Sequence, residues 1–289
     1  MTINQMYNSS DRVGGILMLA AAAVLWSSSG FFIKWIDWHP LAIAGIRSAV
    51  AAILIRYAFR HSKLVWGMPQ LGGAIAYTIT VMAFVAATKL TTAANAILLQ
   101  YTSPVYVAVL SAIFLKEKPG MYDWLTLGAV GCGMVLFFQD QVSGGGLMGN
   151  LLAIGSGMTM AVVTVSLRGQ KDGSPFSTVF WGNVLTFVCG LPFVFDSSPG
   201  VSGWVATLGM GVFQLGFAYV LYTTAIRRVT ALEASVVTMI EPLLNPIWVF
   251  LLIGEMPGYW ALIGGSVILT VITARYVVPA LRAPAGATG

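Results

Sequence analysis

Apolar runs long enough to cross a lipid bilayer recur along the whole chain, and that recurrence limits the fold more than any other feature. Ten of them read as helices, at approximately 13–36, 41–60, 70–89, 93–115, 122–138, 148–168, 176–195, 203–226, 231–253 and 258–279. Each holds about 17–24 residues, against the roughly 20 that cross a hydrocarbon core of about 30 Å. Turn-forming segments separate them, among them "WHP" (Trp38–Pro40), "EKPG" (Glu117–Gly120), "DGSP" (Asp172–Pro175) and "EMPG" (Glu255–Gly258). The runs lack alternation, which excludes a β-barrel. Only 9% of the residues are charged. A soluble domain carries roughly 25%, so too little charge remains here to cover a soluble surface. The first run is too long for a signal peptide, and no soluble domain follows it. The predicted fold class is an all-α polytopic membrane protein.

The charges set the orientation. If the amino terminus lies inside, 12 of the 15 basic residues face the inner side, Lys34 and Lys89 face outward, and Arg47 lies within the second span. The positive-inside rule then places both termini in the cytoplasm. The net charge of +5 is scattered singly or in pairs between apolar runs, which argues against nucleic acid as a partner. Cys132 and Cys189 both fall inside apolar runs, so neither a disulfide framework nor a metal site is expected, and no cofactor is implied.

The chain repeats itself. At a shift of 138 residues Glu117-Lys118-Pro119 meets Glu255-Met256-Pro257, Pro104 meets Pro242, Thr92 meets Thr230 and Gly73 meets Gly211. Residues 13–138 and 148–279 thus read as two five-helix units, with short tails at 1–12 and 280–289. Five is odd, so the second unit enters from the opposite face. Such an inverted-topology repeat is the signature of many secondary transporters.

Two segments carry a family likeness: "YTSPVYVAVLSAIFLKEKPGMYDWLTLGAVGCGMVL" (Tyr101–Leu136) and "MIEPLLNPIWVFLLIGEMPGYWALIGGSVIL" (Met239–Leu269). With them the chain resembles the drug/metabolite transporter superfamily, its ten-helix EamA-type exporters, and among those most nearly the YddG-type aromatic amino acid exporters. The resemblance implies a carrier in a bacterial cytoplasmic membrane. It also implies peripheral fifth and tenth helices, with the others around a central cavity.

Glu241 is the most informative single residue. It lies midway along the ninth run, where a carboxylate costs several kcal/mol unless it meets water or a partner. Thr238, Glu241, Asn245 and Trp248 are spaced 3, 4 and 3 apart and share one helix face. The matching face of the fourth run carries Gln100 and Ser103, without a carboxylate. The other reading of Glu241 is an ion pair with Arg47, about one turn away in depth. Pro104 and Pro242 each remove a helical N–H, freeing the carbonyls of Gln100 and Thr238. Hinges and static kinks both fit these prolines. Further candidates along the pathway are Trp26, Tyr77, Phe84, Gln214 and Tyr222. Tight helix packing is expected of Ser27–Ser29 and of the glycines in "GAVGCG" (Gly128–Gly133) and "IGGS" (Ile263–Ser266). Trp35 and Trp38 read as interface anchors.

No Walker motif, zinc pair or intramembrane histidine appears, so an enzyme is not expected. A phosphate-rich solute would want more deep Arg or Lys. The expected activity is export of small metabolites, aromatic or hydrophobic amino acids above all, by alternating access, with protons as a candidate coupled ion. Export of drugs or other neutral metabolites is the alternative within the superfamily, and a passive channel is the alternative outside it.

Overall fold

A computed structural model describes residues 9–139, 146–171, 173–244 and 258–277. Among these residues the regular structure is entirely helical. Eight helices are long and apolar enough to cross a membrane: Asp11–Trp35, Pro40–Ala58, Met68–Leu90, Asn95–Leu115, Met121–Phe138, Leu147–Gly169, Pro175–Phe195 and Gly200–Ala225. They are the first to eighth spans. The ninth opens with Ala231–Val237 and is described to residue 244, and the tenth runs through Tyr259–Ile272. The first helix already begins at Ser9, so part of the expected amino-terminal tail is helical.

Local chemistry explains where the spans start and break. Thr92 and Thr230 cap the fourth and ninth spans: their side chains accept from Asn95 N and Glu233 N, at 3.1 and 3.2 Å. The fourth span is interrupted at Tyr101–Thr102, just before Pro104, and resumes over Ser103–Leu110. The ninth narrows to a 3₁₀ turn over Thr238–Ile240, just before Pro242. Each proline leaves the carbonyl four residues earlier without its helical donor, so the backbone rewinds at the matching place in both spans. Pro192 likewise ends the regular part of the seventh span, and a 3₁₀ turn over Leu191–Phe195 completes it.

Two interruptions differ from expectation. The first span is broken at Ser27–Ser28, between Ser9–Trp26 and Ser29–Trp35. Ser27 and Ser28 form a turn within the first span, with Ser27 and Ser29 buried; Ser27 Oγ donates to Val24 O at 2.6 Å, taking up a carbonyl next to the break. The eighth span widens into a π-helix over Met210–Phe217. Such widenings are often found at functional sites.

Packing follows one rule. The third span packs on the sixth and the first on the eighth. The third also packs on the seventh, and the second on the eighth. The second and seventh spans meet each other, as do the fourth and ninth, and the fifth and tenth. Exchanging each span with the one five places along maps this pattern onto itself. Gly73 and Gly211 let two of these contacts close: a Cβ on Gly73 would lie 2.5 Å from Thr178 Cγ2, and one on Gly211 2.6 Å from Val50 Cβ. Gly133 and Gly264 seat the fifth span on the tenth in the same way, whereas Gly128 and Gly131 face open space and pack against nothing. Trp35 is exposed, as an interface residue should be. Trp38 is buried, donating from Nε1 to Ser197 O at 2.9 Å and packing on Trp204, so it ties the protein together instead.

Candidate functional site

One cavity lies where the broken and widened segments converge. Trp26 and Ser29 enter from the first span on either side of its break, and Arg47 from the second. The third span supplies Thr80, Val81 and Phe84, the fourth Gln100, the sixth Met160, the eighth Gln214, Leu215 and Tyr219, and the ninth Glu241. Among the described residues the fifth and tenth spans contribute nothing to this wall and pack chiefly on each other. The cavity volume is about 60 Å³. That is room for a few waters, so a larger solute requires the walls to part.

Arg47 and Glu241 are the charged residues of the lining, and they do not pair. The ion pairs among the described residues are Arg12–Glu233, Arg168–Glu117 and Arg275–Asp123. Arg47 instead donates from Nη1 to Gln214 Oε1 at 2.9 Å. Gly211, one turn before Gln214, allows the approach of the eighth span to the second that brings these two together. Glu241 meets Tyr101, whose hydroxyl lies 2.5 Å from Oε2. The same hydroxyl lies 3.0 Å from Thr238 O, the carbonyl that Pro242 deprives of a helical donor. Tyr101 therefore clasps the ninth span at its break.

An aromatic cluster backs the cavity. Tyr219 lies 5.2 Å from Trp26 and 5.0 Å from Tyr77 between ring centroids, and Trp26 lies 5.4 Å from Tyr222. The hydroxyls of the outer two are tied off, Tyr77 donating to Asn183 Oδ1 and Tyr222 bonding Thr164 Oγ1. Gln100 is braced by donating to Ser156 Oγ at 2.7 Å.

Of the residues singled out in the sequence, Trp26, Arg47, Phe84, Gln100, Gln214 and Glu241 line the cavity. Tyr77 and Tyr222 support it from behind. Thr238 is buried and spends its hydroxyl on its own helix, bonding Ala234 O and Ser235 O. Ser103 is buried outside the lining. Asn245 and Trp248 lie outside the described residues. Sequence reasoning missed Tyr101 and, within the lining, Thr80, Met160 and Leu215, and it gave Ser29 a packing role only. Tyr101 carries a signal in hindsight: it sits three residues before Pro104, inside the interruption that the proline makes.

Polar contacts close both ends of the bundle. At one end Arg12 of the first span pairs with Glu233 of the ninth, and Arg168 Nε reaches Glu117 Oε1 at 2.7 Å. Glu117 also accepts from Ala231 N, and Arg168 donates to Ile226 O at the end of the eighth span. At the other end Asn95 donates to Asn150 Oδ1 at 3.3 Å, and Lys34 donates to Thr91 O at the end of the third span. The shift of 138 carries Arg12 onto Asn150 and Asn95 onto Glu233. The Arg12–Glu233 and Asn95–Asn150 contacts are counterparts, the first an ion pair and the second neutral, and Lys34 adds a charge-assisted bond beside the second.

The model of the EamA-like transporter family matches the chain twice, at residues 13–139 and 147–274. The chain belongs to the EamA-like transporter family. It is a multi-pass membrane transporter. An uncharacterized transporter of Archaeoglobus fulgidus is 28% identical over 88% of this chain and 93% of its own length. The pseudopaline exporter CntI of Pseudomonas aeruginosa is 26% identical, covering 88% of this chain and 93% of that protein. The threonine/homoserine exporter RhtA of Escherichia coli is 27% identical over 55% of this chain and 54% of its own. A solved crystal structure superposes with a TM-score of 0.79 over 92% of this chain and 98% of the other, at 17% identity, a likeness of fold.

Proposed function

We propose that this transporter exports small metabolites, aromatic or hydrophobic amino acids foremost, by alternating access around the cavity between Arg47 and Glu241. The observation that carries this reading is the wall itself. It is drawn from spans of both family-model matches, it holds two unpaired charged side chains and an aromatic bank, and four of its spans depart from regular α-helix nearby. Relatives named as exporters of pseudopaline and of threonine and homoserine support export of amino-acid-like solutes. The aromatic preference, in the manner of YddG-type exporters, rests on Trp26, Phe84 and Tyr219. The two matched halves form an inverted repeat in this reading, and the positive-inside count places both termini in the cytoplasm of a bacterial inner membrane. The span-exchange pattern of packing supports the repeat.

Protons are the candidate coupled ion. The Tyr101 hydroxyl has one hydrogen and meets two acceptors. A protonated Glu241 would supply the second hydrogen, and an ionised one would compete with Thr238 O for the first. Counterflow of labelled amino acids in liposomes, with and without a pH gradient, tests the whole reading. Saturable, stereoselective flux is the expected result. Flux rising linearly with concentration would favour a channel, and saturable flux of drugs without amino acids would favour the broader drug-exporter reading.

A further inference from the structure

Resting on the carrier reading above, we infer that Arg47 is the receptor for a carboxylate of the solute, which is carried as a zwitterion with its ammonium group toward Glu241. The Arg47 side chain lies in the second span and is only 3% exposed, so its charge is almost fully out of water. A buried guanidinium with five N–H donors wants an anion, and leaving one unpaired costs several kcal/mol. Its hydrogen-bond partner is the neutral Gln214, and Nε has no acceptor. Glu241 lines the same cavity, yet it is held by Tyr101 beyond ion-pair distance of Arg47. The protein thus places a cation and a carboxyl group in one cavity and keeps them apart with other partners.

That arrangement matches a small molecule carrying both charges. A solute carboxylate bridging the free edge of the guanidinium would supply the missing anion, with two charge-assisted hydrogen bonds. Its ammonium group would find the Glu241 carboxyl, and its side chain would lie along Trp26 and Tyr219. A carboxylate-free amine would leave Arg47 buried and unpaired and add a second positive charge beside it. The site therefore selects against amines and amides of the same shape. Gln214, by fixing Nη1, acts as a positioning residue for the guanidinium.

The test compares amino acids with their amides in proteoliposome counterflow. L-Phenylalanine and L-threonine are each measured against the corresponding amide, in the wild type and in Arg47→Gln and Arg47→Lys. The wild type is expected to carry the acid at least tenfold faster than the amide. Arg47→Gln should lose at least tenfold in acid flux, keep its amide flux and so lose the preference. Arg47→Lys should retain part of it. Saturable wild-type flux that treats acid and amide alike, or a preference that survives Arg47→Gln, overturns the Arg47 assignment and leaves the carrier reading standing. Absence of saturable flux for every compound overturns the carrier reading and the assignment with it. Should Arg47→Gln fail to elute as a single species, the wild-type comparison alone decides.

Discussion

At the scale of a single residue, Tyr101 connects backbone geometry to the site. Its hydroxyl serves both the carbonyl orphaned by Pro242 and the carboxyl of Glu241. Tyr101→Phe leaves two buried polar groups without that partner, which costs about 1–3 kcal/mol. A thermal melt of the purified protein should show the loss as a lowered Tm. Glu241→Gln is different in kind. The amide oxygen still accepts from Tyr101, so the fold should hold. The charge in the cavity is gone, so amino acid flux should fall at least tenfold at equal protein in liposomes. Unchanged flux would remove Glu241 from the mechanism. The sequence revealed Glu241, because a lone carboxylate in an apolar run is conspicuous. It did not reveal Tyr101, because a tyrosine near a helix break looks ordinary until a carbonyl 137 residues away is placed against it.

At the scale of the helical element, the site is made by departures from the α-helix at Ser27–Ser28, Tyr101–Thr102, Met210–Phe217 and Thr238–Ile240. The two beside prolines were foreseeable from Pro104 and Pro242. The break at the serines and the π-helix have no proline to announce them. Gly211, inside the π-helix, is seated closely against the second span. Gly211→Ala would put a methyl 2.6 Å from Val50 Cβ and 2.8 Å from Arg47 O, so backbone must move. It should destabilise the protein by about 1–3 kcal/mol and reduce flux by shifting Gln214 away from Arg47. Gly128→Ala meets nothing within 4 Å and should be neutral in both assays. The prolines admit a parallel test. Pro242→Ala restores an N–H that competes with Tyr101 for Thr238 O. If the break is a hinge, turnover should slow while folding yield holds. A static kink predicts the reverse.

At the scale of the whole molecule, the spans could be read from hydropathy and the proposed repeat from punctuation. What closes each end could not, because Arg12 and Glu233 are 221 residues apart, far beyond any local pattern. The counterpart contact at the other end joins Asn95 to Asn150 without charge. In the proposed alternating-access cycle each end opens in turn, and the paired contacts at the two ends differ in what they lose. Separating the partly buried Arg12–Glu233 pair loses charge-assisted bonds, worth about 1.5–3 kcal/mol, against about 0.5–1.5 kcal/mol for neutral ones. Lys34 adds a charge-assisted bond to Thr91 O at the other end, so both ends set the balance, and neutralising the Arg12–Glu233 pair should shift it toward opening at the Arg12 end. Glu233→Gln is expected to raise exposure of the cavity from that end about tenfold, by the conversion of 1.4 kcal/mol per decade. The measurement uses Ser29→Cys, a cavity position, after Cys132 and Cys189 are changed to serine. An impermeant thiol reagent is then applied to vesicles of either sidedness. Labelling from the Arg12 end should speed up in Glu233→Gln and slow from the other, because one equilibrium governs both. A rise from both ends at once would mean that the substitution loosened the bundle without moving a gate.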